Sequence, residues 1–222
     1  MNKTKIEWCD VTLNPVVGCT YGCEYCYARK MNQRFGWVDD FHKPQFFRER
    51  LKKLESKKPQ VVFMNSLSDI ADWKEQWIDE TFSAIKQNPQ HKYLFLTKRF
   101  DYFNAKYGRK IFKEVSKENV LIGSTITYQD DYDEAQYAPD FFSVEPILEE
   151  ITFRSDRFQS SWVIIGAETG NRKDKVVPKK EWIDKIVSFC DSDSINVPVF
   201  MKNSLIPIVG EENMQREFPW EV

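Results

Sequence analysis

Seven short apolar runs recur along the chain, and each breaks off into polar or charged residues. They are Val16-Val17, Val61 to Met64, Tyr93 to Leu96, Val120 to Gly123, Phe141 to Val144, Trp162 to Ala167 and Val197 to Met201. Short apolar runs without alternation are the mark of strands buried on both faces, and sheets covered on both faces are mostly parallel. Helical spacing appears between several of them. Tyr27 to Arg34 reads as one helix, and Trp77, Ile78, Phe82 and Ile85 share a face of another, from about Glu75 to Lys86. A third is expected from Lys180 to Cys190, while residues 126 to 139, rich in Asp, Tyr and Gln, read as a loop. Alternation of strand and helix predicts an α/β fold, and periodicity alone leaves a barrel and an open doubly wound sheet equally open. In both, chemistry gathers at the C-terminal ends of the strands. A length of 222 residues suits one domain or at most two small ones, and a single domain over 1–222 is expected.

Three of the five cysteines fall within eight positions, as Cys19-Thr20-Tyr21-Gly22-Cys23-Glu24-Tyr25-Cys26. The spacing is CxxxCxxC with an aromatic residue before the last cysteine. Three thiolates on one loop suit three irons of a [4Fe-4S] cluster and leave the fourth iron open to a small ligand. Gly18 and Gly22 would let the backbone curl around it. Two other readings stand beside this one. Three cysteines can be part of a zinc site, but zinc takes four ligands, and His42 and His91 lack metal-site spacing. A dithiol redox pair would use Cys23 and Cys26 and leave Cys19 without a role. Cys9 and Cys190 read as structural thiols.

Composition narrows the remaining classes. Hydrophobic residues make up 41% and charged residues 30%, enough for a core and unlike a disordered chain. With a net charge of −2, any nucleic-acid contact must rely on a local basic patch. Residues 41 to 58 are the candidate: Lys43, Arg48, Arg50, Lys52, Lys53, Lys57 and Lys58 interleave with Phe46, Phe47, Leu51 and Leu54, suggesting an amphipathic helix with a solvated basic face. The polar N-terminus from Met1 to Lys5 has no apolar core of a signal peptide, and no run is long enough to span a membrane. Clustered cysteines in odd number fit a reducing, cytoplasmic setting.

The motif CxxxCx-aromatic-C resembles the signature of the radical S-adenosylmethionine (SAM) superfamily. Lys5-Ile6-Glu7-Trp8, Asn14-Pro15, Asn65-Ser66-Leu67-Ser68-Asp69, Leu96-Thr97-Lys98-Arg99, Ser143-Val144-Glu145-Pro146 and Trp162 to Gly170 are similar to a phage-associated branch of it, largely of unknown function. The similarity spans roughly residues 4 to 205. It differs at Cys9, where the branch more often has a hydroxyl residue, and in a shorter loop between Cys19 and Cys23.

The resemblance implies a partial (β/α) barrel of about six to seven parallel strands. It implies a [4Fe-4S] cluster on Cys19, Cys23 and Cys26, with SAM as second cofactor. Reductive cleavage of SAM would give a 5′-deoxyadenosyl radical that abstracts hydrogen from a substrate, with flavodoxin or ferredoxin as electron donor. The phage association suggests a nucleotide or nucleic acid as that substrate. In the implied SAM pocket, Asn65, Ser66, Ser68 and Asp69 accept from the amino group; Ser68 or Asp69 would otherwise cap a helix. Lys98, then Arg99, is the candidate cation for the carboxylate, with a rim ion pair as the alternative. Ser124 and Thr125 are expected at the ribose and Tyr25 at the adenine, unless Tyr25 is core. Glu145 and Glu168 are expected at ribose or substrate, or else in salt bridges with Lys98 or Lys202. The reading from another class is a non-catalytic metal-binding or nucleic-acid-interaction protein that uses the basic helix.

Overall fold

The computed structural model describes residues 2–220; Met1 of the polar N-terminus lies outside them. The strands are β1 (Asn2–Lys3), β2 (Val11–Thr12), β3 (Val16–Val17), β4 (Gln45–Phe46), β5 (Val61–Phe63), β6 (Lys92–Thr97), β7 (Val120–Ile126), β8 (Phe141–Val144), β9 (Val163–Ile165) and β10 (Val199–Met201). The helices are α1 (Tyr27–Phe35), α2 (Glu75–Lys86), α3 (Phe100–Phe103), α4 (Arg109–Glu114), α5 (Gln129–Asp133) and α6 (Lys180–Cys190), with a last short turn at Ile206–Val209. The sheet order is β1-β2-β5-β6-β7-β8-β9-β10, parallel from β2 onward, with β1 antiparallel to β2. The fold is therefore α/β, with the curled parallel sheet of a partial barrel, as the apolar runs predict.

Two compact units divide the chain, Met1–Ile122 and Gly123–Val222. In the first, Val62, Met64, Tyr93, Phe95, Val120 and Ile122 meet Ile78, Phe82 and Ile85 of α2 in one core. In the second, Phe142, Val144, Val163, Ile165, Val199 and Met201 pack with Ile183, Ile186 and Cys190 of α6. All four residues of β8 are buried, which is why it reads as an unbroken apolar run. Cys190 is core, and burial pushes its thiol up to about 12.

Several expectations are corrected. Val16-Val17 is not a strand of the parallel sheet but pairs antiparallel with β4. The parallel strand is β2, whose ladder with β5 runs on to the Leu13 N–H on Phe63 O before Asn14-Pro15 interrupts it; Pro15 has no N–H to continue. Residues 41–58 are not one helix. Pro44 disfavours helix before it, residues 45–46 are extended, and only Arg48–Glu55 coils, as a 3₁₀ helix. Its buried residues, Leu51 and Leu54, lie three apart, the 3₁₀ period.

β7 runs past Gly123 to Ile126, so Ser124 and Thr125 lie inside the strand, opposite Phe142 and Ser143. The segment 126–139 contains α5, whose start is held by the Asp131 carboxylate accepting from the Thr127 and Tyr128 N–H groups. Residues 100–114, unassigned in the sequence, form α3 and α4 around a π-helical turn at Asn104–Gly108. Phe103, Tyr107 and Ile111 bury one face of that segment.

Candidate functional site

The cysteine loop of the first unit is stitched to the segment that follows β5. Gly18 bridges Ser68, its N–H donating to Leu67 O at 3.0 Å, and the Cys19 N–H donates to Phe41 O at 2.8 Å. Gly18 has φ +112°, and a Cβ there would sit 2.8 Å from Pro44 Cα, so only glycine fits. Gly22, at φ +84°, turns the chain between Cys19 and Cys23. Thr20 reaches Asp72 twice, through its N–H at 2.8 Å and its hydroxyl at 2.7 Å.

Cys26 caps α1, its Sγ accepting the Arg29 N–H at 3.4 Å; Cys19 Sγ accepts the Tyr21 N–H at the same distance. The Tyr27 hydroxyl donates to Ser66 O at 2.6 Å. Val17, Ala28, Val38, Phe41 and Leu67 form a small apolar floor against which Cys19 and Cys26 pack.

All three thiols are half-buried. Burial pushes Cys19 up to about 12 and raises Cys23, against the pull of the Lys98 ammonium and the Tyr25 hydroxyl. Without a compensating cation these are thiols; a metal centre would reverse that preference. Among the described residues no group of three or more His, Cys, Asp or Glu side chains is gathered for a single metal ion.

The polar residues after β5 already have partners within the chain. Asn65 clasps Leu96, its Oδ1 accepting the N–H at 3.0 Å and its Nδ2 donating to the carbonyl at 2.6 Å. Ser66 Oγ donates to Asn14 Oδ1, and Ser68 Oγ accepts the Trp73 indole N–H at 3.0 Å. Asp69 is buried and accepts from Thr97 Oγ1 at 2.6 Å, Ala71 N at 2.9 Å and Lys98 N at 3.0 Å. It caps the Ile70–Asp72 turn, as its capping reading has it. Burial raises its carboxyl, with these donors and Arg99 opposing.

Lys98 Nζ lies 5.5 Å from the ring centroid of Tyr25 and 5.9 Å from that of Tyr21, which brings this cation and the aromatic residue of the motif together. Arg99 is paired with Asp72. Partial burial alone would raise the Asp72 carboxyl, but the Thr20 and Arg99 donors hold it below its usual range. The loop, Asn65 to Asp69 and Lys98 are thus one neighbourhood.

In the second unit Ser124 is buried and Thr125 half-buried. Glu145, before a cis peptide to Pro146, pairs with Lys202, the salt bridge weighed as its alternative. Gly166 lies against this pair; a Cβ there would be 3.0 Å from Lys202 Cδ. Glu168 is buried, and its partner is neither Lys98 nor Lys202 but Arg172, bidentate at 2.8 Å and 2.8 Å. Those two bonds lower its carboxyl despite burial.

Asp72, Thr20, Asn14 and Arg172 are the residues that sequence reasoning missed. Asp72 had a faint signal, an acid three residues after Asp69; Arg172 had none. Cys9 is half-buried rather than core, its Sγ 3.9 Å from Ile6 O. The basic stretch is partly neutralised: Arg48 pairs with Glu80, Lys43 with Asp40, and Arg50 covers the Phe47 ring. Among the described residues no helix is long and apolar enough to cross a membrane.

A family model described as "Protein of unknown function (DUF5131)" matches residues 3–205. The chain belongs to the DUF5131 family. No curated protein and no solved structure matches it. The cysteine loop and every polar strand end of this DUF5131 protein lie inside the matched span, and the family description names no activity.

Proposed function

We propose that this DUF5131 protein is a radical SAM enzyme whose [4Fe-4S] cluster is held by Cys19, Cys23 and Cys26. The observation that carries the reading is the docking of the three-cysteine loop on the segment that follows β5, through Gly18 to Leu67 and Thr20 to Asp72, with Lys98, just after β6, alongside. That is where parallel α/β folds concentrate their chemistry. The donor set fits the group. A cluster takes each thiolate on a different iron, so its ligands do not need to converge on one point as a zinc site requires.

Held by Cys19, Cys23 and Cys26, such a cluster would supply one-electron reduction of SAM. The chain's own groups do the rest. The Tyr21 N–H donates to Cys19 and favours its thiolate, and the Arg29 N–H donates to Cys26 and fixes its sulfur at the start of α1. The Lys98 ammonium offers a cation to the methionine carboxylate, and its aromatic neighbours Tyr21 and Tyr25 restrict where it sits. A small one-electron donor protein such as flavodoxin or ferredoxin completes the system.

Anaerobic reconstitution with iron and sulfide tests the reading. About 4 Fe and 4 S per chain are expected, with broad absorbance near roughly 400 nm. Cys19→Ala, Cys23→Ala and Cys26→Ala should each lose it, and Cys9→Ala and Cys190→Ala should keep it. Stoichiometric zinc, or a cluster retained in Cys19→Ala, would sink the assignment.

A further inference from the structure

Asp72 carries the segment between the first two cysteines. Thr20 follows Cys19 directly, and both its backbone N–H and its hydroxyl end on the Asp72 carboxylate, one on each oxygen. The two residues are 52 positions apart, so this is a tertiary clamp and not a local turn. The carboxylate itself is fixed. Its side chain is 6% exposed, it ends the turn capped by Asp69 after β5, and it is paired with Arg99 just after β6. Asp69 in turn holds the N–H of Lys98, so the clamp is rooted in two neighbouring strand ends.

The loop needs such a root. Gly22 sits at φ +84° and Tyr21 is 45% exposed, so little packing defines the chain from Thr20 to Gly22. Cys26 is held independently, as the cap of α1.

We infer that Asp72 is a positioning residue that presets the Cys19–Cys23 half of the loop in its ligand-bearing shape before any metal enters, with Thr20 as its contact. The purpose given to that shape rests on the cysteines being the cluster ligands; the clamp itself does not. Two consequences follow from the layout. Loss of Asp72 should loosen Cys19 and Cys23 and spare Cys26. Loss of the Thr20 hydroxyl alone should give a smaller effect of the same pattern, because the N–H bond remains.

The experiment is site-resolved alkylation of the metal-free protein by iodoacetamide, read by mass spectrometry. Charge-assisted hydrogen bonds are being removed, each worth roughly a factor of 10 in an opening equilibrium. Asp72→Ala should therefore raise the alkylation rates of Cys19 and Cys23 by about 10-fold or more, with Cys26 and the core thiol Cys190 unchanged. Thr20→Val should raise the same two less, and Thr20→Ser should restore the wild-type rates. Unchanged Cys19 and Cys23 in Asp72→Ala would overturn the inference, as would an equal rise at Cys26.

If Asp72→Ala also exposes Cys190, the fold has been lost, and the Thr20→Val and Thr20→Ser pair decides in its place: the selective rise and its rescue support the clamp, and no difference between them refutes it. Reconstituted Thr20→Val adds a second readout, faster loss of iron to a chelator than wild type at an unchanged melting temperature. A wild type that takes up no iron would refute the enzyme reading and leave the alkylation pattern to judge the clamp by itself.

Discussion

Arg172→Ala tests what the buried carboxylate after β9 is for. Glu168 has a side chain 3% exposed, and its two oxygens are taken by Nε and Nη2 of Arg172, both at 2.8 Å. Removing the guanidinium deletes two charge-assisted bonds, each contributing about 1.5–3 kcal/mol. It also strands a carboxylate, a situation that costs about 3–5 kcal/mol when the charge is fully enclosed. Arg172 is itself 23% exposed, so water can enter where it stood and rehydrate part of the charge. The expected loss is therefore at the low end, about 3 kcal/mol. In urea, with a slope of about 2 kcal/mol per molar for a unit of this size, the midpoint should fall by about 1.5 M.

The pH dependence gives an independent sign. The pair depresses the Glu168 carboxyl in the folded state, so its stabilisation is present above the unfolded value near about 4.3 and is lost as pH falls through the folded one. Wild type and Arg172→Ala should thus converge in stability on acidification. The assay is urea unfolding followed by tryptophan fluorescence at neutral pH and again at acid pH. A midpoint shift below about 0.3 M at neutral pH would place the pair among surface ion pairs worth under about 1 kcal/mol and refute the argument.

Two further outcomes follow from the first unit. Lys98→Ala should retain the reconstituted absorbance while weakening SAM by about 10- to 100-fold, the value of one charge-assisted hydrogen bond, as measured by calorimetric titration; unchanged affinity with a lowered melting temperature would assign Lys98 to structure instead. Gly18→Ala should destabilise the protein by at least about 1–3 kcal/mol, because the new methyl meets the Pro44 backbone at a φ that side chains avoid; thermal unfolding at or above the wild-type midpoint would contradict that geometry.

The sequence by itself determined whatever depends on neighbours along the chain. Apolar positions at helical spacing locate α2 and α6 with the boundaries observed, Glu75–Lys86 and Lys180–Cys190, because a helix face is written in residues three and four apart. Unbroken apolar runs locate β5, β6, β8 and β9, because a strand covered on both faces has no polar side to show. The spacing of Cys19, Cys23 and Cys26 is likewise local, and so is their confinement to one loop. Where such local signals are thin, the structure departs from them. β3 left the parallel sheet because Pro15 ends the ladder, and the basic stretch broke where Pro44 and the β4 pairing outweighed its amphipathic pattern.

Only the tertiary structure decided which groups satisfy one another. Thr20 and Asp72 are 52 residues apart, Asn65 and Leu96 are 31, and Glu145 and Lys202 are 57. Glu168 chose Arg172, on the loop that follows it, over the two lysines that looked equally suited. A buried charge or hydrogen-bonding group takes whichever partner the packed backbone brings within about 3 Å. That distance is set by how the strands align, and it is not written in the spacing of residues along the chain.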